Sequence, residues 1–358
     1  MNYEIYENIM SDTPVIDDGY LRSVLDLSEN QTITFVEITE VKESNTALVI
    51  KASVQIKDGD DVCQKKLFIK TMKQNKAENV YHGVSQNEGK FYKFIRDSGV
   101  NNLPIPVCYD VFISEEKGEF VIVLEDISSR YTAPDDAILK DKSIWFSCAE
   151  SLARFHAAFW NREIIPQIEE TERDFQEDRD GIQEFISEFS EKFDDKTKEV
   201  LRRSSEINIS LSKGFPHRIN GRNNVTIGNG DSHIYNFMLP LGKENKPLIV
   251  DFQFWGEGTG TNDLSHLTRV GFSDDLKREI QRSLVEHYHK TLLANGVTGY
   301  SWDECWRDYR LNAVTKVLIP FYQYAGFKIK YDEWIGDLQG LVYNYEYLNG
   351  DELYRELI

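Results

Sequence analysis

Apolar and polar residues alternate with a period of two through TITFVEITEV (32–41), TALVIKASVQI (46–56) and QKKLFIKTM (64–72), and KDGDD (57–61) supplies turn residues between the last two. A period of two places successive side chains on opposite faces of a sheet, so these runs predict an antiparallel β-meander. The period changes in VSQNEGKFYKFIRDSG (84–99), where Phe91, Phe94 and Ile95 fall at helical spacing and Gly99 marks the stop. VCYDVFIS (107–114) and FVIVLEDI (120–127) return to strand. The run FVIVL has no polar alternation and is expected to be buried on both faces. A short helix around DGYLRSVLDL (18–27) precedes the meander.

From about residue 128 the pattern becomes helix and loop. SIWFSCAESLARFHAAFW (143–160) sets Cys148, Leu152, Phe155 and Phe159 on one stripe, as in a central helix of a packed domain. EETERDFQEDRDGIQEF (169–185) reads as a solvated helical face. Short strands follow at VTI (225–227), NFMLP (236–240) and KPLIVDF (246–252), with GKENK (242–246) turning between the last two, and the remainder is helical and aromatic. The expected organisation is α+β: a β-rich N-terminal lobe over 1–127 and a mainly helical C-terminal lobe over 128–358. A cleft between lobes is the default place for a ligand.

Composition narrows the partners. With 41% hydrophobic and 12% aromatic residues, the 358-residue chain can bury a large core. Lys+Arg 41 against Asp+Glu 60 gives a net charge of −19, which works against nucleic acid or an anionic membrane as partner and leans toward a cationic or neutral small molecule. Cys63, Cys108, Cys148 and Cys305 lie far apart, without disulfide or zinc spacing. The N-terminal segment carries acids where a signal peptide needs a basic start, and no run approaches the ~20 apolar residues of a membrane span. A cytoplasmic setting is expected.

The candidate chemistry lies in NGDSHIYNFMLP (229–240). Asp231 precedes the first hairpin strand, Asn236 begins it and Asp251 ends the returning strand, so the three are expected to meet at one end of the ribbon. Two carboxylates and an amide oxygen make a hard oxygen site suited to Mg²⁺, with Asp231 able instead to accept a proton from a hydroxyl. In the N-terminal half, Lys70 ends a strand and Glu88 lies in the following helix; an ion pair between them would hold an amine over phosphates. Singly, Asp231 and Asn236 read as loop caps and Lys70 as a solvated edge charge; their ordered combination carries the functional reading. His156, on an apolar helix, reads as a hydrogen-bonded core residue, Asp263 as a structural tie for a loop, His233 as either structural or substrate-facing, and Trp302, Trp306 and Tyr309 as core.

FIK (68–70), NEGKFYKF (87–94), VLEDI (123–127), NGDSHIYN (229–236) and VDFQ (250–253) together resemble the protein-kinase-like fold in its small-molecule branch, the aminoglycoside and choline phosphotransferases. LARFHAAFW (152–160), GTNDLSHL (260–267) and the segment 284–310 are most similar to the ecdysteroid-kinase-like family. The resemblance implies a bilobal fold, ATP and Mg²⁺ as cofactors, and transfer of phosphate to a small-molecule hydroxyl. It implies Asp231 as catalytic base, Asn236 and Asp251 as magnesium ligands, Lys70 as the phosphate-contacting lysine and Glu88 as its partner. Backbone groups of Glu125 and Ile127 would meet adenine, with Leu124 at the back of the pocket. The glycine-rich phosphate loop of the family is reduced to KESNT (42–46), where Ser44, Asn45 and Thr46 would offer donors instead. Asn229 stands where the family usually has His; this and the glycine-free loop raise the alternative of a catalytically degenerate pseudokinase that binds nucleotide or a partner.

Overall fold

The period-two runs form a single five-stranded antiparallel sheet in the computed structural model, which describes residues 7–9, 15–43, 47–72, 82–114, 119–164, 175–242 and 245–358. Its strands are β1 (Gln31–Glu43), β2 (Ala47–Asp58), β3 (Asp61–Met72), β4 (Cys108–Ser114) and β5 (Glu119–Glu125), in the spatial order β1-β2-β3-β5-β4. Two compact units make up the chain. The first comprises Met1–Thr132 with the returning segments Pro240–Asn245 and Val250–Trp255; the second comprises Ala133–Leu239, Lys246–Ile249 and Gly256–Ile358.

In the first unit the pleat separates two tasks. Ile50, Ala52, Val54, Leu67, Ile69, Val121 and Val123 share one face and pack with Tyr20 and Leu21 of helix α1 (Asp18–Val24). The N-cap of α1 is Asp17, whose side chain accepts the Tyr20 amide at 2.9 Å. The register pairs Lys70 with Ile122 and Phe68 with Leu124, so these four side chains occupy the other face. Strand β5 is accordingly apolar from Phe120 through Leu124, all of them buried, between its terminal glutamates. Helix α2 (His82–Ser98) buries Phe91, Tyr92 and Ile95 and carries Glu88. Phe252 stacks on Phe91 with ring centroids 3.7 Å apart, and Trp255 Nε1 donates to the Asn87 carbonyl at 2.8 Å. These contacts fix the segment after Asp251 on α2.

In the second unit the apolar stripe of α3 (Lys142–Phe159) is fully buried at Cys148, Leu152, Phe155 and Phe159. Helices α4 (Gln176–Glu188) and α5 (Asp195–Asn220) follow, then strand β6 (Thr226–Gly228), strands β7 (Phe237–Pro240) and β8 (Leu248–Ile249), and β9 (Gly256–Gly258), which pairs antiparallel with β6. The chain ends in α6 (Gly260–Leu267), α7 (Asp274–Ala294), α8 (Trp302–Thr315), a 3₁₀ turn (Lys316–Leu318), α9 (Ile319–Phe327), α10 (Tyr331–Tyr347) and α11 (Gly350–Leu357). The expected strand over 246–252 is reduced to Leu248–Ile249, because Asp251 adopts a left-handed backbone at φ 60° that no strand accommodates. Of Trp302, Trp306 and Tyr309, expected as core, Tyr309 is fully buried and the two tryptophans are half-buried; their rings stack in series with successive centroids 5.8 Å apart. Among the described residues no helix is long and apolar enough to cross a membrane, and the four cysteines are free thiols.

Candidate active site

The loop after β6 is held by its backbone. Gly230 takes φ +84°, a conformation costly for any residue with a Cβ, and this turns the Asn229 and Gly230 amides toward one acceptor. That acceptor is Asp263 of α6, 1% exposed, whose oxygens receive Asn229 N–H at 2.6 Å and Gly230 N–H at 2.9 Å. Asp263 also meets His156 Nε2 at 3.1 Å, and its own carbonyl accepts the Ser232 hydroxyl at 2.8 Å. Burial alone would raise the Asp263 carboxyl, but His156 and the two amides outweigh it and hold it below the ordinary range. The Nδ1 atom of His156 lies 2.8 Å from the Tyr288 hydroxyl, so both ring nitrogens are engaged in the core.

Asn229 is fully buried, and its amide oxygen accepts the Asp231 N–H at 3.1 Å. Asn236, the last residue of a 3₁₀ turn (Ile234–Asn236), donates Nδ2 to the Asp231 carbonyl at 2.8 Å. The backbone of Asp231 is therefore clamped from both sides. Around that carboxylate stand His233 Nε2 at 3.6 Å, His266 Nδ1 at 3.5 Å and Arg269 Nη2 at 3.6 Å. Burial, with Lys316, Arg269 and His233 nearby, pushes the His266 imidazole well below its usual range, so it is neutral at pH 7.

In the first unit, Lys70 Nζ donates to Glu88 Oε2 at 2.5 Å and lies 3.9 Å from Asp251 Oδ1. Burial would lower the Lys70 amine, but the Glu88 and Asp251 carboxylates reverse the sign and its affinity for the proton rises. It stays an ammonium at any working pH. Of the residues marked in the sequence, the structure thus groups Lys70, Glu88 and Asp251 in one unit and Asp231 and Asn236 in the other.

The sequence profile of the Ecdysteroid kinase-like family matches residues 36–296. The chain belongs to this family. Among solved structures, a choline kinase from Cryptosporidium parvum Iowa II is similar at TM-score 0.55, with 9% identity, 91% of this chain and 92% of that chain covered. A microcompartment-associated aminopropanol kinase is similar at TM-score 0.50, with 10% identity, 94% of this chain and 98% of that chain covered. No curated protein sequence matches the chain. These likenesses give the ecdysteroid kinase-like chain a protein-kinase-like α+β fold.

The remaining expected residues of this ecdysteroid kinase-like chain divide. Ser44, Asn45 and Thr46 lie outside the described residues. Leu124 is buried on the Lys70 face of the sheet. Glu125 donates its amide to the Val107 carbonyl at 2.9 Å, and its carboxylate binds Arg130 at 2.5 Å. Ile127 is buried at the end of that segment, where its carbonyl accepts the Arg130 and Tyr131 amides. Asn236 and Asp251, the expected magnesium ligands, both carry hard oxygen donors, and Asn236 directs its nitrogen to the Asp231 carbonyl, so that its Oδ1 is not the atom used there. Among the described residues no group of three His, Cys, Asp or Glu side chains forms a rival site.

The sequence reading missed His266, Arg269 and Lys316. His266 follows Asp263 by three residues, so one helix face presents both, and that spacing in NDLSH was a usable signal. Lys316 lies 50 residues further on and had none. Together with Asn262 and Asn312, His266 and Lys316 line a cavity of about 1110 Å³ within the second unit.

Gly260, at the start of α6, admits no side chain: a Cβ there would collide with the Tyr288 hydroxyl and sit 2.7 Å from His156 Nδ1. Gly260→Ala should separate His156 from Tyr288 and lower unfolding free energy by about 1–3 kcal/mol, the usual cost of overpacking. Urea denaturation read by tryptophan fluorescence tests this; an unchanged midpoint would mean that α6 shifts freely.

Proposed function

We propose that this chain is an ATP- and magnesium-dependent phosphotransferase whose acceptor is a hydroxyl of a small organic molecule. The observation that carries the reading is Asp231: its backbone is fixed by Asn229, Asn236 and, through the loop, Asp263, while its carboxylate lies 3.5 Å from a neutral His266 that lines the large cavity. Family membership, and the likeness in fold to proteins named as choline kinase and aminopropanol kinase, supports the reaction class.

Asp231 would accept the proton of the acceptor hydroxyl as its oxygen bonds to the γ-phosphorus and ADP leaves. Lys70, kept charged by Glu88, would neutralise phosphate charge. Backbone groups at Glu125 and Ile127 would meet adenine beside Leu124; since the Glu125 amide is bonded to Val107, its contact would use the carbonyl. Asn236 and Asp251 would hold magnesium, which when bound supplies countercharge to the phosphates. Most of the acceleration comes from positioning and electrostatics, because phosphoryl transfer asks little covalent chemistry of a protein. The pseudokinase alternative drew on Asn229 and on the glycine-free loop; that Asn229 is buried and supports the Asp231 amide favours the catalytic reading.

Melting the protein with ATP, ADP or GTP, with and without Mg²⁺, tests the nucleotide half of the proposal. ATP at 100 times its Kd should stabilise by about 2.7 kcal/mol, and the effect should need magnesium. No shift with any nucleotide would contradict the reading.

A further inference from the structure

The cavity beside Asp231 carries a charge pattern that net composition hides. Its charged lining residues are Lys213, Arg218, Arg307 and Lys316 against Glu257 and Asp308. Asp308 is neutralised by both terminal nitrogens of Arg218, at 2.9 and 2.5 Å, and Arg307 pairs with Glu356 at 3.7 Å. What is left is Lys213 and Lys316 against Glu257, a basic balance inside a chain of net charge −19. The lean toward a cationic acceptor drawn from composition is therefore reversed at the cavity wall.

Lys316 is the decisive residue. It is 7% exposed, and its Nζ donates to Asn262 Oδ1 at 2.6 Å; among the described residues no carboxylate lies within 4.0 Å of it. An ammonium carries three donors, and a buried charge is costly unless paired, so one neutral amide leaves it incomplete. The surrounding wall is apolar at Phe175, Leu211, Ile319 and Tyr322. His266 lines the same cavity and lies 3.5 Å from Asp231, so one wall residue connects the cavity with the proposed base.

We propose that the acceptor is a hydroxyl-bearing organic anion, with an apolar body and an acidic group that pairs with Lys316. A cationic acceptor would bring its charge against the buried Lys316, where like charges repel strongly. The word acceptor rests on the phosphotransferase reading; the preference for an anion rests on the cavity alone. Burial pulls the Lys316 amine down to about 7, with Arg269 adding to the fall and Asp263 and Asp231 opposing it, while the nearby His266 is neutral. Affinity for an anion should accordingly fall about tenfold from pH 6 to pH 8 as the amine loses its proton.

Calorimetric titration of the full chain, without nucleotide, with 10-hydroxydecanoate, its methyl ester and 10-amino-1-decanol tests the proposal. At pH 6.5 the carboxylate should bind about tenfold more tightly than the ester or the amine. Lys316→Met should reduce the carboxylate to the affinity of the ester and leave the ester within about twofold, and Lys316→Arg should restore the preference. Equal or tighter binding of the amine, no binding of the carboxylate, or a preference that survives Lys316→Met would overturn it. If the methionine variant does not fold, the three ligands on the unmodified protein decide the question. A magnesium-dependent ATP shift alongside a preferred amine would leave the kinase reading standing and this one fallen; a preferred carboxylate without any nucleotide binding would do the reverse.

Discussion

Asp231→Asn should lower turnover by about 10²–10⁴-fold, the contribution expected of a positioned proton acceptor, while the stabilisation by ATP and magnesium persists. The separation is expected because the Asp231 backbone, and the residues before it, are held by other side chains. Asn229 receives its amide, Asn236 binds its carbonyl, and Asp263 holds the two residues before it. An asparagine preserves shape and hydrogen bonding but cannot take a proton as a carboxylate does. Steady-state release of ADP, set beside thermal shifts on the same protein, reads both quantities. Joint loss of turnover and nucleotide binding would show that the side chain is structural.

Asp263→Ala should cost about 3–5 kcal/mol of folding free energy, because it strands His156 and the Asn229 and Gly230 amides in the core without their acceptor. The same change frees the loop carrying Asp231, so turnover should fall with stability. The pH dependence has a definite sign. The folded Asp263 carboxyl is held below its unfolded value of about 3.9, so its stabilisation is complete above that pH and is lost as the pH falls through the folded value. Guanidinium denaturation of both proteins at pH 7 and pH 3 measures this. A difference below 1 kcal/mol at pH 7, or one that grows on acidification, would contradict the assigned role.

The parts of the fold legible in the sequence were those fixed by local periodicity. Alternation placed β1 to β3, the apolar run placed β5, and the stripe through Cys148 and Phe159 placed α3. The pairing of Lys70 with Glu88 was legible because a strand end and the next helix leave few other partners at that point of the meander. The longest helix, Asp195–Asn220, was not, since Gly214 and Pro216 within it are the residues that ordinarily mark an end. Val250 read as strand because its side chain is β-branched, whereas the left-handed Asp251 beside it ends the ribbon early. The basic surroundings of Asp231 were hidden for a different reason: His266, Arg269 and Lys316 come together through tertiary packing, and a net charge averages over a surface that the cavity wall does not share.

The proposed reaction moves the γ-phosphate of ATP onto a small-molecule hydroxyl. Phosphorus NMR of ATP, magnesium and the protein with the sub-kilodalton fraction of a cell extract tests it most directly. A new phosphomonoester resonance should grow with ADP and be absent with Asp231→Asn. Binding of magnesium and ATP without any phosphomonoester, or equal product from the asparagine variant, would contradict it.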